Sequence, residues 1–451
     1  MSKELQWGGR FKEAPDPELI AFGSSLDEDL VLAPFDVACS QAHVAALLGG
    51  RILEPSQAKE LNEALETVAR EIATGTFAAF ARGGTFEDVH GAIDARVREI
   101  THAGESLHAG RSRNDQVATT LLLYARDRAA RGRAICAGIA RAALVRAREE
   151  LAAGTVLAGT THWQPAQPIL LAFWLGAMAE MFARGARRFA RVFEDAARFC
   201  PLGSGALSGS SLPLDRDAAA SALGFGAPSR NAMDAIGTRD IALDLAHACV
   251  RAVVDASRAS EEFVIWCTPA FGYARLGDSA STGSSLMPQK RNPDPFELVR
   301  SQAAALNGTY AGAVGTTAGI ALSYHRDLQT TKALAIGVVE KGLASLRAFA
   351  RAFDVLAFDR ERMSAIAGDG YTVATDLADE LIAGGASARD AHASIGRAVA
   401  EAEAGGKLLH PTFDAEASVR AKKTAGSTSP AAVAAALDSL ETELATFGDL
   451  G

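Results

Sequence analysis

The stretch from Ser281 to Asp294 carries residue types that can hold developing negative charge. Gly283 and the nearby serines favour irregular backbone, and an asparagine and then an aspartate each precede a proline near the end of the stretch. An N-cap followed by proline at the first helical position is a helix start. We therefore predict a mobile loop leading into a helix from about Pro293. The unpaired N–H groups of that helix, with Lys290 and Arg291, would attract carboxylates or a carbanion. Ordinary loops use the same residue types, so composition alone leaves that alternative open.

Three further segments place polar side chains at a predicted helix start. In 110–117, a serine and an aspartate have capping-box spacing ahead of a long helix, and two arginines and an asparagine suit a carboxylate ligand. In 159–168, a polar loop with His162 precedes an apolar helix. The segment 324–332 opens another helix with tyrosine, glutamine and lysine. A solvated helix turn explains the first segment equally well and, on spacing alone, explains the third segment better. A lone histidine before a helix, as in the second segment, is more often structural.

Long proline-free runs predict the elements that position these segments. The first continues from 110–117 to about Leu151, which would make a helix of ~38 residues and ~57 Å. Others cover 238–267 and 324–356, and a further helix is predicted over 294–321, which has Pro295 at its start. Helices this long usually belong to bundles. Aromatic residues are only 6% of the chain and alternating runs are short, so strand signals are weak. We predict an almost all-α protein with a central bundle of about five long helices.

Composition excludes several classes of partner. The 451 residues are 48% hydrophobic and 22% charged, with a net charge of −9, which argues against nucleic acid or an anionic membrane as partner. The first residues lack the apolar core of a signal peptide. The longest apolar run, 169–179, is too short to span a bilayer. We expect a cytoplasmic protein.

Several common site types are missing from the sequence. The glycine spacing in 201–209 is G-x-G-x-x-x-G and no strand is predicted before it, so a dinucleotide fingerprint is rejected. Neither a G-x-S-x-G elbow nor H-E-x-x-H occurs, which removes hydrolase and zinc-protease interpretations. The odd number of cysteines, without C-x-x-C spacing, predicts reduced thiols in the core and no zinc site. They are Cys39, Cys136, Cys200, Cys249 and Cys267.

The segment 283–292, Gly-Ser-Ser-x-Met-Pro-x-Lys-x-Asn, resembles the signature of the fumarase/aspartase superfamily, and its Gln-Lys-Arg-Asn-Pro-Asp continuation is similar to the argininosuccinate lyase branch. Thr-His-x-Gln-x-Ala-Gln-Pro at 161–168 and Tyr-x-x-Asp-Leu-Gln-x-x-Lys at 324–332 also resemble this family. Trp163, Pro165 and two threonines in the last segment depart from the residues commoner there. Shorter likenesses, at 7–11, 22–25, 87–90 and 370–378, extend the resemblance over nearly the whole chain.

The resemblance implies cleavage of a C–N or C–O bond in a succinyl group, with release of fumarate and without a metal or organic cofactor. For the argininosuccinate lyase branch, the reaction is the reversible conversion of argininosuccinate to arginine and fumarate, the last step of arginine biosynthesis. The hard step removes a proton next to a carboxylate and pushes a second negative charge into that group. The site must stabilise this aci-carboxylate.

The resemblance also implies roles for individual residues. Ser284 would be the base, with Lys290 lowering its pKa. His162 would be the general acid for the leaving guanidinium nitrogen, directly or through water. Glu297 would pair with this histidine and raise the imidazole pKa. Lys290, Asn292 and the flanking helix N-termini would hold the aci-carboxylate.

Substrate contacts, subunits and domains are implied as well. We expect a homotetramer in which three subunits build each active site. The predicted domains are 1–111, 112–359 and 360–451, the second being the bundle. The expected substrate contacts are Ser25, His90, Ser112, Arg113, Asn114, Thr161, Arg239, Asn292, Tyr324, Gln329 and Lys332.

The sequence leaves two alternative functions open. A sister lyase would act on adenylosuccinate, aspartate, malate or another N-succinyl compound, and a substrate panel would identify it. A non-catalytic structural homologue, like the eye-lens proteins of this lineage, would release no fumarate from any of these. The presence of Ser284, His162, Lys290 and Asn292 argues against the second rival.

Overall fold

The computed structural model describes residues 16–368, 371–405 and 414–447, and in them helices dominate. The predicted family segment at 7–11 and the first residue of the one at 370–378 lie outside the described residues. The helices are α1 (Pro17–Gly23), α2 (Leu26–Asp29), α3 (Ala33–Gly49), α4 (Pro55–Thr74), α5 (Thr76–Gly83), α6 (Val89–Ile100), α7 (Arg113–Ala153), α8 (Leu171–Ala196), α9 (Arg216–Ala222), α10 (Ala232–Gly237), α11 (Asp240–Trp266), α12 (Asp294–Gly315), α13 (Asp327–Asp354), α14 (Arg360–Gly368), α15 (Ala374–Ala383), α16 (Ala388–Gly405), α17 (Ala415–Ala421) and α18 (Pro430–Ala445).

Five of the described helices are long: α7, α8, α11, α12 and α13 have 41, 26, 27, 22 and 28 residues. The prediction of a mainly α protein with about five long helices is therefore confirmed. The end predicted for α12 is wrong, because the helix stops at Gly315. The next two residues, Thr316 and Thr317, donate hydroxyl hydrogen bonds to carbonyls one turn back, which competes with helix continuation.

The strands are short and form three two-stranded sheets in the described residues. They are β1 (Val156–Thr161), β2 (Gln164–Leu170), β3 (Phe199–Cys200), β4 (Ala227–Pro228), β5 (Ala274–Leu276) and β6 (Leu356–Phe358). β1 and β2 make an antiparallel hairpin, so the polar loop predicted at 159–168 is wrong. Its two prolines and its glycine hid the pairing, since prolines are rare in strand interiors.

The chain divides into two compact units. The first contains the described residues up to Arg131, with Arg188–Val250 and Ala305–Gly342; the second contains Gly132–Arg187, Arg251–Ala304 and the described residues from Leu343 onward. The division into domains 1–111, 112–359 and 360–451 stays a prediction.

Each unit has its own apolar core. In the first, Cys39, Leu123, Cys200 and Phe225 belong to one buried cluster. In the second, aromatic rings pack around Phe263 at centroid distances of 5.0 Å to Phe296 and 5.8 Å to Phe353. The five cysteines are free thiols, and four of them are buried, as predicted.

One stretch of the described residues, Pro17–Gly49, is long and apolar enough to cross a membrane. However, 61% of its most apolar window is buried inside the structure. Core helices of soluble proteins have the same composition, so this stretch is weak support for a membrane span.

Candidate active site

A cleft of about 320 Å³ in the first unit gathers seven of the nine substrate contacts predicted there. Its wall comes from the loop before α2, the start of α6, the first turn of α7, the residue before α11 and the first turn of α13. Polar and charged residues from five chain segments therefore line the same cleft. The seven residues are Ser25, Arg113, Asn114, Arg239, Tyr324, Gln329 and Lys332.

Three cations on the cleft wall already face carboxylates of the chain. The N···O distances are 2.6 Å for Lys332 and Asp29, 3.0 Å for Arg113 and Asp88, and 2.5 Å for Arg326 and Glu87. The Ser25 hydroxyl also donates to Asp29, at 2.6 Å. These pairs fix the side chains before any ligand arrives.

Arg239 differs from those three cations. It is only 4% exposed, and its guanidinium donates to the carbonyls of Ile236 (3.2 Å) and Thr238 (2.7 Å), while its Nε has no partner. Burial lowers the pKa of Arg239 to about 10. Within the part of the chain that the structure describes, no carboxylate pairs with it. A buried cation without a counter-ion is costly, so this position suits a carboxylate of a bound ligand.

His90 and Ser112, also predicted as substrate contacts, do not line the cleft. His90 is fully buried, with its Nδ1 2.8 Å from a carboxylate oxygen of Asp36. Burial would raise the pKa of Asp36, but His90, Arg111 and Gln116 outweigh it and lower that pKa to about 2. This ionised carboxylate therefore fixes the imidazole inside the first unit.

Ser112 caps α7 instead of lining the cleft. Its hydroxyl accepts the N–H of Asn114 at 3.2 Å, and the Asp115 side chain accepts the N–H of Ser112 at 3.0 Å. The capping-box spacing predicted from the sequence is thus confirmed. The neighbouring Asn114 side chain lines the cleft and donates from Nδ2 to the carbonyl of Ala206 at 3.0 Å.

The glycine-rich segment 201–209 binds a carboxylate of the chain itself. The N–H groups of Gly203 and Gly205 donate to Asp115 at 3.0 and 2.9 Å. The expectation that no strand precedes this segment is wrong, because the two-residue strand β3 does. The next helix, α9, begins only at Arg216, so the strand–glycine–helix arrangement of a dinucleotide site is still missing from this segment.

The β1–β2 hairpin presents Thr161 and His162 in the second unit. Thr161 pairs with Gln164, so His162 and Trp163 form a two-residue turn, with φ of 55° and 60°. Left-handed backbone is uncommon for bulky residues and costs about 1–3 kcal/mol at each position. Such strain is often found at functional sites, and here it falls on the predicted acid.

The loop 283–291, which we call the catalytic loop, is exposed apart from the half-buried Ser284. The hydroxyl oxygen of Ser284 accepts N–H bonds from Leu286 (3.2 Å) and Met287 (3.0 Å). Donors aimed at this oxygen stabilise its anionic form, which would make the hydroxyl more acidic and its conjugate base accessible. The helix predicted after the loop begins at Asp294, one residue from the expected position.

Lys290 precedes α12, and Glu297 lies in the first turn of this helix. Lys290 is exposed, and its backbone N–H bonds to Met287 at 3.1 Å. The Glu297 carboxylate lies 3.8 Å from Arg300, which also pairs with Glu261 at 2.5 Å. Pairing of Glu297 with His162, and proximity of Lys290 to Ser284, stay predictions.

Sequence reasoning missed several residues of the cleft. Arg326 and Glu87 lie inside the family segments but were not predicted as site residues, and Asp29 gave no local signal. Among the described residues, no group of three or more histidine, cysteine and acidic side chains is placed to hold a metal ion.

Comparison with known proteins agrees with the segments above. The family model described as Lyase matches residues 9–308, and the one described as Argininosuccinate lyase C-terminal matches 371–439. The chain is 42% identical to the argininosuccinate lyase of Mycobacterium leprae (strain TN) over 412 residues, 91% of this chain and 86% of that protein. It is 38% identical to that of Hyphomonas neptunium over 454 residues, 96% of each chain.

Solved structures share the fold. An EDDS lyase in complex with formate has a TM-score of 0.80 and 25% identity, and the match covers 96% of this chain and 91% of that one. A class II fumarase from Schistosoma mansoni has a TM-score of 0.72 and 14% identity, over 89% and 91% of the two chains. The sequence relatives and the family models, not the shared fold, show that the chain is a lyase: it belongs to the argininosuccinate lyase family of the fumarase/aspartase superfamily.

Proposed function

We propose that this lyase converts argininosuccinate to arginine and fumarate, reversibly, as the last step of arginine biosynthesis. The observation that carries the proposal is the buried Arg239, which faces a cleft without a carboxylate partner among the described residues. Argininosuccinate has three carboxylates and would supply the missing counter-ion. The membership of the chain in this family supports the same substrate.

We propose that Ser284 removes the proton. Serine is normally far too weak a base, and the two N–H donors on its oxygen, with Lys290 nearby in the sequence, would favour the alkoxide. Asn292, Lys290 and the start of α12 would hold the aci-carboxylate. One well-aimed donor of this kind is typically worth about 3–4 kcal/mol.

His162 would donate a proton to the leaving guanidinium nitrogen, directly or through water, and Glu297 would support its protonated form. Thr161 next to it, and the cleft residues of the first unit, would bind the substrate. The two-residue turn would fix the backbone position from which the imidazole projects.

A homotetramer in the cytoplasm, with each active site assembled from three subunits, is part of this proposal. Leu298 on α12 is 62% exposed, and burial of such an apolar side chain against a neighbouring subunit would favour association. Sedimentation of the purified protein measures the stoichiometry. A monomer that is fully active at low concentration would contradict the shared site.

A substrate panel tests the activity. Purified protein is given argininosuccinate, adenylosuccinate, aspartate and malate in turn, and fumarate is followed by its ultraviolet absorbance while the second product is identified by chromatography. We expect fumarate and arginine from argininosuccinate alone. Fumarate from another compound would assign a sister activity, and no fumarate from any of them would point to a non-catalytic protein.

A further inference from the structure

Three polar side chains form a chain of hydrogen bonds at the base of the catalytic loop. Thr282 and Asn292 pair as antiparallel backbone, with N···O distances of 3.2 and 2.9 Å. Their side chains also meet, since Asn292 Nδ2 donates to Thr282 Oγ1 at 3.3 Å. The Thr282 hydroxyl in turn donates to Asp294 Oδ2 at 2.6 Å. We call these three side chains the loop clasp.

The direction of these hydrogen bonds is fixed by chemistry. A carboxylate oxygen accepts hydrogen bonds, so the Thr282 hydroxyl donates to Asp294. The oxygen of Thr282 then has only lone pairs to offer, and the Asn292 amide must present its NH₂ group. This fixes which end of the carboxamide faces inward, and each bond of the chain strengthens the next.

The clasp is not needed to close the loop. The Arg291 guanidinium donates to the carbonyl of Leu276 at 2.9 Å and pairs with Asp278, and the Ser281 hydroxyl donates to the carbonyls of Leu276 and Gly277. These contacts hold the ends of the loop without touching Asn292. The clasp can therefore orient the Asn292 amide without also having to close the loop.

We propose that Thr282 and Asp294 are positioning residues for the reaction, and that they aim the second N–H of Asn292 at the carboxylate that develops negative charge. The inference rests on the proposed function, which gives Asn292 that carboxylate to hold. It adds two residues that act through Asn292 and do not touch the substrate.

The test compares Thr282→Val, which keeps the shape and loses the hydroxyl, with Thr282→Ser, which keeps the hydroxyl. We expect Thr282→Val to lower kcat/KM about tenfold or more, the loss of one charge-assisted hydrogen bond, while Thr282→Ser keeps most of the wild-type value. Thr268→Val is the matched control, because that hydroxyl donates only to the carbonyl of Ile265, at 2.6 Å. Its kcat/KM should equal that of the wild type.

A double variant separates positioning from a general loss of structure. If Thr282 acts through Asn292, then Thr282→Val with Asn292→Ala will lose no more activity than Asn292→Ala alone. Multiplied losses, or a Thr282→Val enzyme as active as the wild type, would overturn the inference.

The wild-type enzyme is assayed first with argininosuccinate. Absence of fumarate would overturn the proposed function, and the role of the clasp with it. An active wild type with an unaffected Thr282→Val variant would overturn the clasp alone.

Discussion

The cleft of the first unit and the catalytic loop of the second unit are held in opposite ways. Lys332 and Arg113 in the cleft are buried or half-buried and already paired with carboxylates, so the binding surface exists before the ligand. The catalytic loop is exposed, with Leu286 84% accessible, and side-chain contacts hold it mainly at its base. Under the proposed function, the cleft would therefore be pre-organised for binding, whereas the proposed reacting groups would depend on an exposed segment that can rearrange.

The largest effect should come from the loop. Ser284→Ala removes the proposed base and should lower kcat about 10²- to 10⁴-fold with little change in KM, because the cleft residues remain. Steady-state fumarate release measures both constants. A rise in KM with unchanged kcat would mean that Ser284 binds and does not react, which would break the comparison.

A smaller effect, on KM instead of kcat, is expected from a substitution in the cleft. Arg239→Gln should raise KM about 10- to 100-fold by removing a charged hydrogen-bond donor to a substrate carboxylate.

Arg126→Gln is the matched control for Arg239→Gln. Arg126 is another partly buried arginine that, like Arg239, donates to two carbonyls, those of Leu223 (2.7 Å) and Gly224 (3.1 Å), but it does not line the cleft. Its loss should lower the melting temperature and leave KM unchanged. Equal behaviour of the two variants would contradict a special role for Arg239.

The buried polar groups of the first unit predict a dependence of stability on pH. The pKa of Asp36 is lowered from 3.8 to about 2, so its contribution is fully present above about pH 4 and is lost as the pH falls towards 2. The loss is about 2 kcal/mol of the free energy of unfolding. Urea unfolding between pH 5 and pH 2 measures it, and Asp36→Asn should flatten that part of the curve.

The smallest effect concerns the hairpin turn. Trp163→Gly and Trp163→Ala both remove the indole, but only alanine keeps a β-carbon in the left-handed backbone. The glycine variant should therefore be more stable by about 1 kcal/mol, the reverse of the order in a helix or strand. Thermal melting of the two variants decides it, and a more stable alanine variant would argue against strain.

Much of the fold followed from local patterns in the sequence. Most of the long helices were predicted from proline-free runs. The start of α12 was predicted from Asn292 and Asp294, each of which precedes a proline, and the cap of α7 was predicted from Ser112 and Asp115. The β1–β2 hairpin did not follow, because neither alternation nor a glycine turn marks it. Local patterns predict local structure, but the turn at His162 and Trp163 has left-handed backbone, which these two residue types do not predict.

The candidate site was predictable in part for a different reason. The family resemblance led to seven residues of the cleft, but not to Asp29, which pairs with Lys332 across 303 positions of sequence. A pairing at that separation leaves no periodic signal. His90 was predicted as a substrate contact, yet its imidazole is buried against Asp36, a distinction that only packing reveals.

The half-exposed indole of Trp163 at the hairpin tip provides an intrinsic fluorescence signal. Trp163 is 46% accessible, whereas Trp266 is 3% accessible and Trp174 is partly buried, so within the described chain acrylamide should quench Trp163 first. Its emission comes from the residue next to His162. Shielding of that emission by added fumarate or arginine would report occupancy beside the proposed acid without any attached dye.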